Sequence, residues 1–303
     1  MKAPTVSLPP PARFDVGWGT AYERWAVYRL LRRWLPRWEV GTALEGPVDG
    51  MAGIPGLHLV PAAEMGAHVT VLVPTAQAAE TVRSVYRLLG LEDRLTVRAQ
   101  SEFPVGESFD LVLSYAAAPC VRSWEAYLGS GAACARRFFV VSVSHRSSYG
   151  VFLRKALRLL EAGGERGREL FDHPSTDSRV LEPFLRRLGP IVEDAYVDCP
   201  WWPDLFVQTG ETLLSGTLGR LPFGRRFLHG ARVRPAREGE PFVYGPGRFP
   251  FLGGPGWEEE VSPALRRHPV FDEACRPLAS VFAHHRVRVV ARDRIASDGA
   301  APK

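Results

Sequence analysis

TALEGPVDGMAGIPGLHLVPAAEMGAHVTVLVPT, residues 42–75, is the stretch whose reading decides the fold. Val40–Leu44 is a short apolar strand that runs into Glu45. A turn over Gly46–Gly56 follows, carrying Gly46, Gly50, Gly53 and Gly56, and then a helix over Leu57–Met65. His68–Val73 (HVTVLV) is rich in β-branched residues and reads as a buried strand. Strand, glycine turn, helix and strand in this order make a crossover unit, which joins parallel strands. Glycines let the backbone turn sharply and come close to a ligand. Amides at the start of a helix attract a carboxylate or phosphate. The spacing G-x-G-x-x-G is absent, which argues against a nicotinamide or flavin site. Anion binding and plain tight packing both remain open for this turn.

The same alternation continues outward. Ala76–Leu89 is helical and stops at Gly90, and Leu95–Val97 is a brief strand. Phe109–Ser114 (FDLVLS) and Phe138–Val143 (FFVVSV) are strong buried strands. Helices are expected over Ser123–Leu128, Val151–Leu160 and Arg179–Leu188. Toward the N-terminus, residues 20–38 read as an amphipathic helix, with Thr20 and Glu23 as its capping box, behind a loose Pro-rich arm over 1–19. Five apolar strands separated by helices read as a doubly wound α/β domain with a parallel sheet covered on both faces. That domain spans 20–208. Residues 209–285 are rich in turn residues and read as an irregular insertion or lid. A final strand returns to the sheet within 286–296, and 297–303 is a disordered tail. Ligands of such sheets bind beyond the carboxyl ends of the strands, at the switch point.

Composition narrows the function classes. The chain has 303 residues, with 38 Lys and Arg against 33 Asp and Glu, a formal charge of +5. Almost all of the positive charge is arginine, scattered in pairs such as Arg32–Arg33, Arg136–Arg137 and Arg186–Arg187. No dense basic stripe with interleaved aromatics appears, so nucleic acid is not the expected partner. Cys120, Cys134, Cys199 and Cys275 include no C-x-x-C pair, which argues against a structural zinc site. The start MKAPTVSLPPP has no apolar h-region, and no run approaches a membrane span of about 18 residues. A reducing, cytoplasmic setting is the default expectation.

Over about residues 20–200 the chain resembles the class I S-adenosylmethionine-dependent methyltransferases. ALEGPVDGMAG looks like the family's first motif, an acid followed by a glycine-rich turn. GAHVTVLVPTAQAAETVRSVY is similar to its second strand and helix, ESFDLVLSYAAAPCV to its fourth strand, and FFVVSVSHR to its fifth. YVDCPWWPD resembles a segment of a subgroup of methyltransferase-like proteins. The resemblance implies a mostly parallel, Rossmann-like seven-stranded sheet and S-adenosylmethionine as cofactor. It places Glu45 at the acid that orients the turn and the methionine amino group, with Gly46, Asp49, Gly50 and Gly53 around the methionine moiety. The acid expected to bind the ribose hydroxyls falls on Val73, which has no acceptor, so Thr75 is left as a weaker contact. Gln100 lies toward the adenine, and Ser114 and Tyr115 lie beside the methyl group.

Methyl transfer from a sulfonium needs in-line placement more than acid–base chemistry, although an oxygen or nitrogen acceptor also needs a base. The candidates are His145, Tyr149 and His173, each with a plain structural alternative as a loop or helix-start residue. Trp201, Trp202 and Asp204 are candidates for a substrate wall, or else close a sheet edge. His284–His285 lack a third metal ligand nearby in sequence, so no metal is expected there. Two functions follow: methyl transfer to a small-molecule acceptor, or a non-catalytic binding or scaffold protein that has lost the ribose acid. RNA modification is a third, motivated by a pI of 9.2. Oligomeric state is not legible in the sequence.

Overall fold

The computed structural model describes residues 18–47, 56–152, 173–199 and 276–292. Its strands are β1 (Thr42–Glu45), β2 (His68–Val73), β3 (Leu95–Ala99), β4 (Phe109–Tyr115), β5 (Ala135–Ser144), β6 (Ile191–Val197) and β7 (His285–Ala291). They form one sheet in the order β3-β2-β1-β4-β5-β7-β6. β7 alone runs antiparallel to its neighbours. The chain builds β1, β2 and β3 toward one edge and then returns to place β4 on the other side of β1. The switch point therefore lies between the carboxyl ends of β1 and β4.

The strand sequences follow from where they sit. All seven residues of β4 are buried, which is why FDLVLSY carries no polar alternation. The helices are α1 (Trp18–Trp38), α2 (Val60–Glu64), α3 (Ala76–Leu88), α4 (Trp124–Cys134), α5 (Ser178–Leu188) and α6 (Arg276–Phe282). Buried residues of α1, α2 and α3, among them Leu31, Trp34 and Val82, pack with Val71, Leu113 and Val289 over one face of the sheet. On the other face Trp124, Leu128, Phe184 and Leu185 of α4 and α5 meet Val112, Phe139 and Val290.

Several elements differ from the sequence expectations. Helix α1 is already formed at Trp18, so Thr20 lies inside it and the expected capping box does not exist. Helix α4 continues past Leu128 to Cys134, through Gly131, which fits against the rings of Phe103 and Phe139; a Cβ there would lie 2.9 Å from each. The strand β6 was not expected. It is the edge strand, and only Ala195 and Val197 of it are fully buried, so its apolar signal is weak. Helix α6 lies within Ala264–Phe282, a stretch of the expected insertion that reads as weakly helical, and β7 starts at His285, one residue ahead of the expected final strand. Among the described residues, no helix is long and apolar enough to cross a membrane.

Candidate active site at the carboxyl edge of the sheet

Glu45 closes β1 with its side chain fully buried. Its carboxylate accepts the backbone N–H of Leu59 at 3.1 Å and of His58 at 3.4 Å, and the Nδ1 of the His58 ring lies 3.0 Å away. The two ends of the glycine turn are thus tied together by one carboxylate. With its bonds spent on the protein, Glu45 shapes the turn. Gly46 donates its N–H to the Leu113 carbonyl of β4 at 2.9 Å. The Phe103 ring fills the space beside it, so that a Cβ on Gly46 would lie 2.6 Å from that ring. Tyr127 donates its hydroxyl to the Pro47 carbonyl at 3.1 Å. Gly56 has φ of 78° and packs on Val71, which explains why a glycine stands there. Asp49, Gly50 and Gly53 lie outside the described residues.

The carboxyl end of β2 is apolar. Val73 is fully buried, and Pro74 and Thr75 follow it at the surface. Thr75 is the N-cap of α3, its hydroxyl accepting the Ala78 N–H at 3.1 Å. Beyond β3, Gln100 donates its backbone N–H to Val73 at 2.8 Å and its side-chain amide to the Glu102 carbonyl at 2.7 Å.

Ser114 and Tyr115 end β4 and are buried. Tyr115 stacks on His58, with centroids 4.0 Å apart, and tilts against His285 at 5.3 Å. Burial first, then the charges of Glu23 and Asp198, push its phenol well above the ordinary range. The Nε2 of His58 and the Oδ1 of Asp198 are buried with no hydrogen-bond partner among the described residues. The buried hydroxyls of Ser114, Tyr115 and Ser142 lie nearby, next to Tyr127 and Glu23, so this rim is polar inside an otherwise apolar core.

Around Tyr115 the fold gathers residues far apart in sequence. Glu23 comes from α1, Asp198 from the end of β6 and His285 from the start of β7. His285 Nδ1 lies 3.8 Å from Asp198 and 4.0 Å from Glu23. His284 Nδ1 donates to Asp198 Oδ2 at 2.9 Å, the same oxygen that His285 approaches. Burial, and then the neighbouring carboxylate of Asp198, raise Glu23 to about 7. Sequence reasoning did not find Glu23, Asp198 or His58. Glu23 was read as a cap and Asp198 as part of an aromatic segment, and only pairing of β6 with β7 unites Asp198 with the two histidines.

The expected bases are placed separately. His145 follows β5, buried, with Nε2 2.8 Å from the Ser280 carbonyl and its ring edge-on to Tyr196. A carbonyl only accepts, so Nε2 carries a proton and Nδ1 is the basic atom of the neutral ring. Burial lowers the His145 pKa. Tyr149 packs edge-on to Phe282 at 4.9 Å, and burial raises its phenol. His173 caps the short turn Pro174–Thr176, its Nδ1 accepting the Ser175 N–H at 3.3 Å, and burial lowers its pKa. Trp201, Trp202 and Asp204 lie outside the described residues.

Seven strands, six of them running in one direction, flanked by helices on both faces, are the arrangement that the resemblance to class I methyltransferases implies. The fold is Rossmann-like. No family model matches the sequence. No curated protein matches it. Among solved structures it is similar to magnesium protoporphyrin IX methyltransferase from Synechocystis PCC 6803 with bound SAH, at 16% identity over 61% of this chain and 79% of that one, TM-score 0.47. It is also similar to StiE O-MT residues 961–1257, at 13% identity over 89% and 74% of the two chains, TM-score 0.45. A third is the glycopeptide N-methyltransferase MtfA, at 20% identity over 41% and 55%, TM-score 0.33.

Proposed function

We propose that the protein transfers a methyl group from S-adenosylmethionine to a small-molecule acceptor. The observation that carries this reading is the Glu45 clamp. It ties the end of β1 to the backbone of His58 and Leu59 at the switch point, beside the buried hydroxyls of Ser114 and Tyr115. Backbone amides at a strand-to-helix junction suit an amino-acid carboxylate, and the hydroxyls offer polar contacts. The described residues therefore suit the methionine half of the donor. They suit its ribose less well, because Val73 has no acceptor and Thr75 already caps α3. When bound, the donor would supply an electrophilic methyl group on an excellent leaving group.

The remaining work falls to the chain's own side chains. Tyr115 and His58, stacked and buried, form an apolar wall with polar edges beside β4. His145, kept neutral by burial, can take a proton from an acceptor at Nδ1. Its Nε2–H bond to Ser280 would fix the ring while it does so. Neither an RNA acceptor nor a long basic track is called for by these residues.

Loss of the ribose acid favours the second reading, a protein that keeps the fold without turnover. One measurement separates the two. Purified full-length protein is titrated calorimetrically with S-adenosylhomocysteine and screened by mass spectrometry for methylated products from a metabolite extract. Binding below millimolar concentration with a product 14 mass units heavier (about one methylene) supports transfer. Binding without product supports the scaffold, and absence of binding at millimolar ligand ends the methyl-transfer reading; turnover ends the scaffold.

A further inference from the structure

The group formed by Glu23, Asp198 and His285 has no place in the methyl-transfer reading. One ligand atom from each of the three lies within 4.8 Å of the others. Zinc bonds oxygen and nitrogen at about 2.0–2.2 Å, which sets tetrahedral ligand atoms about 3.4 Å apart. The observed 3.8 Å from His285 Nδ1 to Asp198 Oδ2 and 4.0 Å to Glu23 Oε1 need only a small inward adjustment to reach that spacing, with His284 holding the same Asp198 oxygen from outside. We propose that Glu23, Asp198 and His285 bind one divalent transition-metal ion at the carboxyl edge of the sheet.

Three further observations support a cation in this place. The Tyr115 hydroxyl, on a side chain 1% exposed, belongs to none of the three ligands and lies in the protein interior against Glu23 and Ser142, where it would support a ligating Glu23 carboxylate from outside. Asp198 Oδ1 is buried with no hydrogen-bond partner among the described residues, although Oδ2 is held by His284. That bond is the outer support metal-binding carboxylates commonly have. Asp198 also has φ of 57°, a left-handed conformation that non-glycine residues adopt at a cost.

Charge and softness indicate the class of ion. Two carboxylates oppose each other in a buried site, and a divalent cation neutralises both. Arg24, also buried, acts on Glu23 from α1, and His58 acts on it from beside Tyr115. One imidazole with two carboxylates suits zinc or manganese better than magnesium or calcium. Three protein ligands leave a coordination position, the pattern of catalytic more than structural zinc sites. Its occupant would be water or an oxygen of the acceptor, next to Tyr115. The inference does not depend on the methyl donor.

The test uses full-length protein stripped with a chelator, reloaded with zinc or manganese sulfate, desalted and assayed for metal by mass spectrometry. No methyl donor is present, so failure here leaves the methyl-transfer reading untouched. The wild type is expected to retain about one ion per chain. Glu23→Gln and Asp198→Asn are expected to bind at least tenfold more weakly by calorimetry, whereas Glu107→Gln, an exposed acid, is expected to match the wild type. Asparagine tolerates the left-handed backbone, so Asp198→Asn separates ligand loss from strain. Should a variant not fold, manganese in the wild type is read by the loss of its free-ion paramagnetic resonance signal at one equivalent. Retention below a tenth of an ion per chain, no loss of that signal, or equal uptake by a folded Asp198→Asn protein would overturn the assignment.

Discussion

The ring of His58 lies on that of Tyr115, centroids 4.0 Å apart and planes 20° from parallel, and this stack joins the glycine turn to the carboxylate cluster. On one side His58 is held by Glu45. On the other, Tyr115 faces Glu23 and leans on His285. The end of β1 is therefore linked through His58 to the group from α1, β6 and β7. The acid that ends β1 is the first link of that chain.

Replacing Glu45 by alanine should cost stability before anything else. Two backbone amides and a ring nitrogen lose their acceptor inside the protein. An unsatisfied buried donor costs about 1–3 kcal/mol, so Glu45→Ala should lose about 3 kcal/mol or more in urea unfolding. Limited proteolysis should also cut first within residues 46–59. Glutamine keeps one acceptor oxygen and should lose less. Equal urea midpoints for wild type and Glu45→Ala would show that the clamp is unimportant.

Gly46 offers a way to separate packing from ligand binding. Its missing Cβ is replaced by the Phe103 ring. Gly46→Ala should therefore destabilise by about 1–3 kcal/mol, the usual range for overpacking. In a Phe103→Leu background, which removes ring atoms from that space, the same change should cost clearly less. A double-mutant cycle measured by denaturation supplies the answer, and additive costs would contradict the contact.

These two sites show what the sequence could and could not convey. The strands β2, β4 and β5 were legible because burial on both faces leaves continuous apolar runs. Edge strand β6 was not, since IVEDAYV mixes half-buried charge with apolar residues. Gly46 was read as a ligand contact, but the turn's demand for glycine is met here by Phe103, which sequence spacing cannot reveal. The Thr75 position was located correctly at the end of β2, yet its hydroxyl is used in capping. The carboxylate cluster was illegible because Glu23, Asp198 and His285 meet only after α1 packs beside β6 and β6 pairs with β7.

Acid should weaken the protein through Asp177, the N-cap of α5. Hydrogen bonds from the Arg179 guanidinium and backbone N–H hold its carboxyl at about 2, with Arg146 also near. Asp110 is lowered too; burial opposes this, but Arg136 and the N–H groups of Thr42 and Gly41 outweigh it. A carboxylate with a folded pKa below its unfolded value of about 3.9 stabilises the fold above that pH. The contribution is lost as pH falls through the folded value. Urea midpoints should therefore drop between about pH 4 and 2, and Asp177→Asn, which keeps the cap oxygen, should show a shallower drop. Identical pH profiles for the two proteins would remove Asp177 from the account.

The strongest prediction on function concerns the missing ribose acid. Val73 is fully buried, so an acid there would be forced into the core. Thr75 is exposed and its φ of −134° and ψ of 153° suit any N-cap residue. Aspartate caps as well as threonine, so Thr75→Asp should leave thermal stability within about 0.5 kcal/mol of wild type. One carboxylate oxygen would accept the Ala78 N–H and the other would face the carboxyl end of β2. A charge-assisted bond to a ribose hydroxyl is worth about 1.5–3 kcal/mol, which predicts roughly tenfold or greater tightening of S-adenosylhomocysteine. Thr75→Ala should instead lose about 1 kcal/mol of stability without improving affinity. If Thr75→Asp folds normally and binds the nucleoside no better, the donor's ribose does not lie at the end of β2, and the methyltransferase-like fold must be serving another ligand.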